Sequence, residues 1–131
     1  MTAAVAAVAA VAAERAMATI GLTVGIAAAV APTQLQRFFG VPSDRITAAG
    51  DFGWRLFAVR NLYLSGLALA GERSAIAAFL PVQLLDQMVF WHAFATHSVP
   101  RRTSTLAAAA SGMIISVDLV RRRGDSLSER L

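Results

Sequence analysis

Three ionisable residues stand inside long apolar stretches of this 131-residue chain: Arg60, Asp86 and Asp118. A charge that faces lipid costs several kcal/mol, so such groups usually face inward, pair with one another and mark substrate or proton paths. A carboxylate beside a guanidinium in that setting could act as an acid or a base. Asp86, Asp118 and Arg60 are therefore the candidates for catalysis, the aspartates as acid or base and Arg60 as their neutralising partner.

The spacing of these three residues along the chain predicts a common depth. A turn near Glu72 would make an antiparallel hairpin in which Arg60 and Asp86 both lie about 19 Å from the turn. A second turn at Arg101–Arg102 would bring Asp86 level with Asp118 in the same way. We therefore expect the three charges to form one layer inside a helical bundle.

Helical periodicity adds uncharged polar side chains to this layer. Ser111 shares a helix face with Asp118 at a spacing of seven residues, and Gln83 and Gln87 flank Asp86. The predicted polar inner layer consists of Arg60, Asn61, Gln83, Asp86, Gln87, Ser111 and Asp118. Two interpretations stay open: a hydrogen-bonded core that fixes helix register, or the lining of a cavity in which a lipophilic molecule binds or reacts.

Metal and nucleotide chemistry have weak support in the sequence. His92 and His97 are five residues apart, about 140° around a helix, so they do not share a face. The chain has no cysteine and none of the GxSxG, HExxH, P-loop or GxGxxG motifs. We expect no metal site and no cofactor.

The elements that must position these residues are indicated by composition. The chain is 56% hydrophobic and 15% charged, against about 25% charged in an average soluble domain, although 28 of its residues are alanine, which is only weakly apolar. The net charge of +4 comes from twelve arginines without any lysine. Because these arginines stand between apolar stretches, they favour a protein of the lipid bilayer over a nucleic-acid binder.

Four apolar segments, separated by proline, glycine and charged residues, predict one all-α domain that forms an antiparallel bundle of four transmembrane helices. The predicted helices cover about residues 14–31, 51–71, 74–99 and 103–121. An Ala/Val-rich extension, 1–13, precedes them, and a polar tail, 124–131, follows. Only the first segment contains 18 consecutive uncharged residues, so a soluble helical bundle remains the alternative.

Small residues four positions apart occur in the first and fourth segments. They are Gly21 and Gly25 in the first, and Ala108 and Gly112 in the fourth. Such spacing lets helix backbones approach closely. It predicts either packing inside the bundle or a homo-oligomer.

The distribution of arginine predicts the orientation in the membrane. With the N-terminus inside, the inner side carries six arginines and the outer side four. The inner ones are Arg15, Arg73, Arg121, Arg122, Arg123 and Arg130, and the outer ones are Arg37, Arg45, Arg101 and Arg102. We expect a multi-pass protein of the cell membrane with both termini in the cytoplasm.

The second segment also carries a resemblance to a known family. The pattern Arg55-x(4)-Arg60-Asn61-x(4)-Gly66, after a connection that ends Phe-Phe-Gly-Val-Pro at Pro42, resembles small actinobacterial membrane proteins of the domain of unknown function 4267 type, broadly similar to DoxX-like proteins. The resemblance covers about residues 16–120. Ala58 and Asn61 stand where that family favours glycine and an acidic residue. The resemblance implies a four-span membrane protein and no particular activity.

These observations predict a small integral membrane protein with a binding or structural role and a polar intramembrane layer. A lipophilic small molecule is the expected partner besides lipid. The alternative is an intramembrane isomerase or cyclase in which Asp86 or Asp118 acts as acid or base on a lipophilic substrate.

Overall fold

The computed structural model describes residues 2–128, and it contains no strand in this range. Five α-helices follow one another along the described chain, with a single turn of 3₁₀ helix at Ser43–Arg45 between the second and the third. The helices are α1 (Ala3–Val30), α2 (Pro32–Phe38), α3 (Ala48–Leu69), α4 (Arg73–Thr96) and α5 (Arg101–Ser128).

Local sequence signals set the boundaries of these helices. The hydroxyl groups of Thr2 and Thr47 accept backbone hydrogen bonds at the first turns of α1 and α3. Pro32 stands at the first position of α2, where its missing N–H costs nothing. Gly71, with a φ of 86°, makes the tight turn between α3 and α4, and His97, with a φ of 55°, ends α4. These short connections make α3, α4 and α5 successively antiparallel.

The four long helices form a ring in which α1 packs against α3 and α5, and α4 packs against the same two helices from the opposite side. The contact between α3 and α4 is the sparsest of the four. The first turns of α1 lie against the last turns of α5, since a Cβ added at Gly124 would come 3.3 Å from the backbone oxygen of Ala6. The described chain therefore begins and ends at the same end of the bundle.

Apolar side chains fill only one half of the bundle interior. The core cluster lies toward the α3–α4 turn and consists of Met17, Ala18, Ala68, Ala75, Ile76, Phe79 and Ile114. Phe79 is its largest member and is fully buried. The other half, toward α2 and the α4–α5 connection, contains a cavity.

The all-α prediction is confirmed, whereas the helix boundaries differ from those predicted. The described part of the Ala/Val-rich extension belongs to α1, and α2 lies in a predicted connection. Helix α5 continues through residues 124–128, which were predicted as polar tail; residues 129–131 lie outside the described part. Its last turns are stabilised by ion pairs three and four residues apart that join Arg121 and Arg122 to Asp118, and Arg121 to Asp125.

Three of the helices are long and apolar enough to cross a membrane: Ala4–Val30, Arg73–Thr96 and Arg101–Ser126. Helix α3 is not among them, because Asp51, Arg55 and Arg60 interrupt it. Length and composition thus support a multi-pass membrane protein.

Candidate ligand-binding cavity

A partly open cavity of about 550 Å³ occupies the half of the bundle that the core leaves unfilled. Its wall is mostly apolar, with contributions from all four long helices, from α2 and from the connections at that end. The polar and charged side chains in the wall are few: Gln36, Arg45, Asn61, Gln83, Asp86, Ser98, Thr103, Ser104 and Ser111. A volume of this size with a few polar groups is typical of small-molecule sites.

An ion pair between α3 and α4 borders the cavity. Arg60 donates two parallel hydrogen bonds to Asp86, from Nη1 to Oδ1 at 2.8 Å and from Nη2 to Oδ2 at 2.7 Å. The guanidinium group also lies over the ring of Phe57, 5.1 Å from its centre. Both oxygens of the Asp86 carboxylate are thus occupied by the fork of the arginine. The structure contains the Arg60–Asp86 pair that the spacing predicts.

Two buried amide side chains form the floor of the cavity, next to this ion pair. Gln83 is 3% exposed, and its side-chain amide has no hydrogen-bond partner among residues 2–128. Asn61 is 4% exposed and donates through Nδ2 to the backbone oxygen of Phe57, which leaves its Oδ1 as an acceptor. Ser111 holds α5 at this level by donating to the backbone oxygen of Gln83 at 3.3 Å. The floor therefore offers both a donor and an acceptor.

Aromatic side chains close the opposite end of the cavity. Phe39, which follows α2, packs on Trp54 with ring centres 5.4 Å apart, and Trp54 contacts Phe57 at 6.0 Å. Asp51 anchors α2 to α3, since its carboxylate accepts hydrogen bonds from Gln36 at 2.6 Å and from Thr33 at 3.1 Å. The sequence analysis did not predict that α2 and the aromatic side chains cover this end of the cavity. The signal in the sequence was the proline that starts α2, followed by the Phe-Phe pair.

Exposed wall residues indicate where the cavity meets the outside. Gly53 on α3 and Val89 on α4 are exposed and indicate an opening between these two helices, and Arg45 and Ser98 are exposed in the connections before α3 and after α4. A Cβ added at Gly53 would meet no atom within 4 Å, so a larger side chain at this position would meet no obstacle in its first atom. Large apolar side chains, Phe52 and Leu56 among them, surround the opening on the outer surface.

Asp118 does not belong to this layer, which corrects the prediction that placed it beside Asp86. The bonds from Ser111 to Gln83 and from Gln87 to the backbone oxygen of Ala108 fix the register of α4 and α5. In that register Asp118 lies about ten residues, or about 15 Å, along the bundle from Asp86. The reason is that the α4–α5 turn lies at residues 97–100, earlier than predicted. When the centre of a turn between antiparallel helices moves by a number of residues, the residue opposite a given position moves by twice that number.

Asp118 instead belongs to an ion cluster near the end of the bundle where the described chain starts and stops. Its carboxylate is fully buried and accepts hydrogen bonds from Arg121 at 2.8 Å and Arg122 at 2.6 Å. Glu14 joins the cluster through Arg73 at 2.7 Å and Arg121 at 3.8 Å. With all of its described partners on the far side of the apolar core, Asp118 is separated from the cavity.

The small residues predicted for helix packing lie within the bundle. A Cβ added at Gly21 would overlap Ser65 Oγ on α3, and one at Gly25 would lie 3.1 Å from Leu62 Cγ. Ala108 is buried at the α4–α5 contact, and Gly112 lies beside Gln87. These contacts correspond to the first of the two predicted roles, packing inside the bundle.

The two histidines lie outside the cavity, with exposed side chains near the end of α4. Within residues 2–128, no three histidine or acidic side chains are grouped so that they could hold a metal ion. Comparisons of the chain with protein-family models, curated proteins and solved structures found no match.

Proposed function

We propose that this chain is a four-span membrane protein that binds a lipophilic small molecule. The observation that carries the proposal is the cavity of about 550 Å³, with its apolar wall and its polar floor at Asn61 and Gln83. An apolar wall favours a lipophilic occupant, and a small number of polar groups at one end orients it.

The fourth span in this proposal is α3. It packs side by side with α1, since Gly21 and Gly25 meet Ser65 and the Asn61–Leu62 pair, and its 22 residues extend about 33 Å. Each of its three charges has a partner on a neighbouring helix. Asp51 accepts from Gln36 of α2, Arg60 pairs with Asp86 of α4, and Arg55 donates to the backbone oxygen of Ala29 at 3.5 Å. Lying between α1 and α4, it has the length to cross with them. The proposed topology keeps both termini in the cytoplasm, as the arginine distribution predicts, and its number of spans is the one implied by the family resemblance.

Binding is favoured over catalysis by the state of Asp86. Both of its oxygens accept hydrogen bonds from Arg60, so taking a proton from a bound substrate would weaken this ion pair. Asp118, the other catalytic candidate, lies beyond the core. The polar layer serves as an anchor between α3 and α4 and as the inner end of a binding site.

Filling the opening of the cavity tests the proposal. Gly53→Leu places a side chain in open space at the opening, whereas Gly66→Leu makes the same change on the same helix, outside the cavity. We expect lipophile that copurifies with the protein, quantified by mass spectrometry of solvent extracts, to fall severalfold for Gly53→Leu only. Equal lipophile content in Gly53→Leu, Gly66→Leu and the unaltered protein would contradict the proposal.

The membrane part of the proposal has its own test. The chain is expected to stay in the pellet when membranes are washed with alkaline carbonate, because the three long apolar helices would hold it in the bilayer. Release into the supernatant would instead support the soluble bundle.

A further inference from the structure

We infer that the cavity takes an uncharged lipophile whose single hydroxyl or carbonyl head binds at Gln83, while its hydrocarbon tail leaves between α3 and α4. The inference rests on the proposed function and specifies the class of ligand. It is drawn from the hydrogen bonding of the floor, the charge beside it and the position of the opening.

The hydrogen bonding of the floor calls for a polar head on the ligand. Gln83 is 3% exposed and lines the cavity, and its side-chain amide has no hydrogen-bond partner within the described range. Burying an amide in this way is unfavourable unless something else satisfies it. Because an amide both donates and accepts, and Asn61 Oδ1 adds a second acceptor, a hydroxyl or a carbonyl would fit.

The charge beside the floor calls for a head without charge. Asp86 lies one helical turn from Gln83, and its carboxylate would repel an anionic head. A cationic head would have to displace Arg60, which already holds both carboxylate oxygens. A neutral head meets neither obstacle.

The opening determines where the tail lies. Gly53 and Val89 border it, and Phe52, Leu56 and Leu85 are exposed around it on the outer surface. In the proposed membrane this surface faces hydrocarbon. A tail that leaves the cavity here continues among the lipid chains without crossing the polar interface.

Photolabelling with three probes tests this orientation. The probes are hexadecan-1-ol, hexadecanoic acid and hexadecane, each with a diazirine near one end, which is the head end in the first two. The full chain is reconstituted in phosphatidylcholine nanodiscs, irradiated with each probe, and mapped by peptide mass spectrometry. The variants are Gln83→Leu, Gln83→Met as a second variant of similar length, and Gln87→Leu as a control one turn along α4, outside the cavity wall.

We expect the alcohol to label the floor, at Asn61, Gln83 or Ile114, more strongly than the acid or the hydrocarbon. Loss of one neutral hydrogen bond in Gln83→Leu or Gln83→Met should lower this labelling about fivefold, with no loss in Gln87→Leu. Equal labelling by alcohol and hydrocarbon, or no effect of either Gln83 variant, would overturn the inference and leave the proposed function standing.

Two further outcomes separate the inference from the proposed function. Preferential labelling by the acid at Arg45 or Ser98, the exposed wall residues in the connections, would show an anionic head at that end of the cavity and would also overturn the inference. If none of the probes labels any residue of the cavity wall, the proposed binding function itself is contradicted.

Discussion

At the scale of single residues, two glutamines one turn apart on α4 have opposite surroundings. Gln87 donates to the backbone oxygen of Ala108 at 2.7 Å and accepts from Trp91 at 2.9 Å, so it ties α4 to α5. Gln83 is more deeply buried, yet no described residue bonds to its amide. A polar side chain kept at a cost to stability is typical of a binding site.

This contrast predicts opposite effects of one substitution on stability. Gln83→Leu should raise the free energy of unfolding, by at most about 1 kcal/mol, in ligand-free protein, because no described residue loses a hydrogen bond when an amide that borders the cavity is replaced by an apolar side chain. Gln87→Leu should lower it by about 1–3 kcal/mol, because it leaves the Ala108 oxygen and the Trp91 indole without their partner. Unfolding followed by circular dichroism in one detergent measures both. A loss of stability in Gln83→Leu as large as in Gln87→Leu would show that Gln83 has a structural role.

At the scale of elements, the contact between α1 and α3 depends on a glycine facing a serine. Gly21 lies so close to α3 that a Cβ would overlap Ser65 Oγ, and that hydroxyl is buried without a hydrogen-bond partner among the described residues. The two helices therefore approach until backbone meets side chain, as small residues allow in bilayers.

A double-mutant cycle tests this contact. Gly21→Ala should lower the free energy of unfolding by about 1–2 kcal/mol, since the new methyl group must push Ser65 or α3 aside. In a Ser65→Ala background the obstructing oxygen is gone, so the same substitution should cost little. Gly66→Ala, where a Cβ meets open space, is the control and should be neutral or stabilising. Equal costs of Gly21→Ala in both backgrounds would contradict the proposed contact.

The elements also show how far the sequence could predict the structure. The turn at Gly71 is short, so counting residues from it placed Arg60 opposite Asp86 correctly. The α4–α5 connection ends α4 at His97, a residue without a strong turn preference, and the count from the wrong centre misplaced Asp118. Helix α2 has only seven residues and is held by hydrogen bonds from Thr33 and Gln36 to Asp51, which lie 18 and 15 positions away. Local patterns do not contain such tertiary contacts.

Helical periodicity alone could not decide whether the bundle contains a cavity. The sequence placed polar groups at one depth, and both a closed core and a cavity lining were consistent with that. The choice depends on the sizes of the surrounding side chains: Gly53, Ala93, Ala107 and Ala110 line the space, whereas Phe79, Met17 and Ile76 fill the other half. Such a difference in filling arises from packing in three dimensions.

At the scale of the whole molecule, the ion cluster joins three helices at one end of the bundle. Glu14 of α1 meets Arg73 of α4 and Arg121 of α5, and Arg121 also binds the fully buried Asp118. The opposite half of the bundle, toward α2, contains the cavity and has fewer buried contacts of this kind. Much of the stability should therefore reside in the core and in this cluster.

Removing Arg121 should be costly, because Asp118 would keep only Arg122 as its partner and Glu14 only the exposed Arg73. We expect Arg121→Gln to lower the free energy of unfolding by about 2–3 kcal/mol. Arg123→Gln removes the same charge from an exposed position of the same helix and should change it by less than about 0.5 kcal/mol. Unfolding in detergent distinguishes the two, and similar losses in both variants would mean that the cluster contributes only through net charge.

The proposed topology can be tested on the whole molecule without background, because the chain has no cysteine. Single cysteines at exposed positions, in Ser43→Cys, Glu72→Cys, Ser98→Cys and Ser126→Cys, report on the two ends of the bundle. If all four long helices cross the bilayer, a membrane-impermeant maleimide added to inside-out vesicles should label Glu72→Cys and Ser126→Cys, and one added to intact cells should label the other two.

The pairing of the labels decides whether α3 is a span. With α3 lying outside the bilayer, α1 would still cross, so residues 43 and 72 would be on one side and residue 98 on the other. With α3 across it, residue 43 shares its side with residue 98 and not with residue 72. Joint labelling of Ser43→Cys and Glu72→Cys from one side would contradict the fourth span, and with it the opening of the cavity toward lipid between α3 and α4.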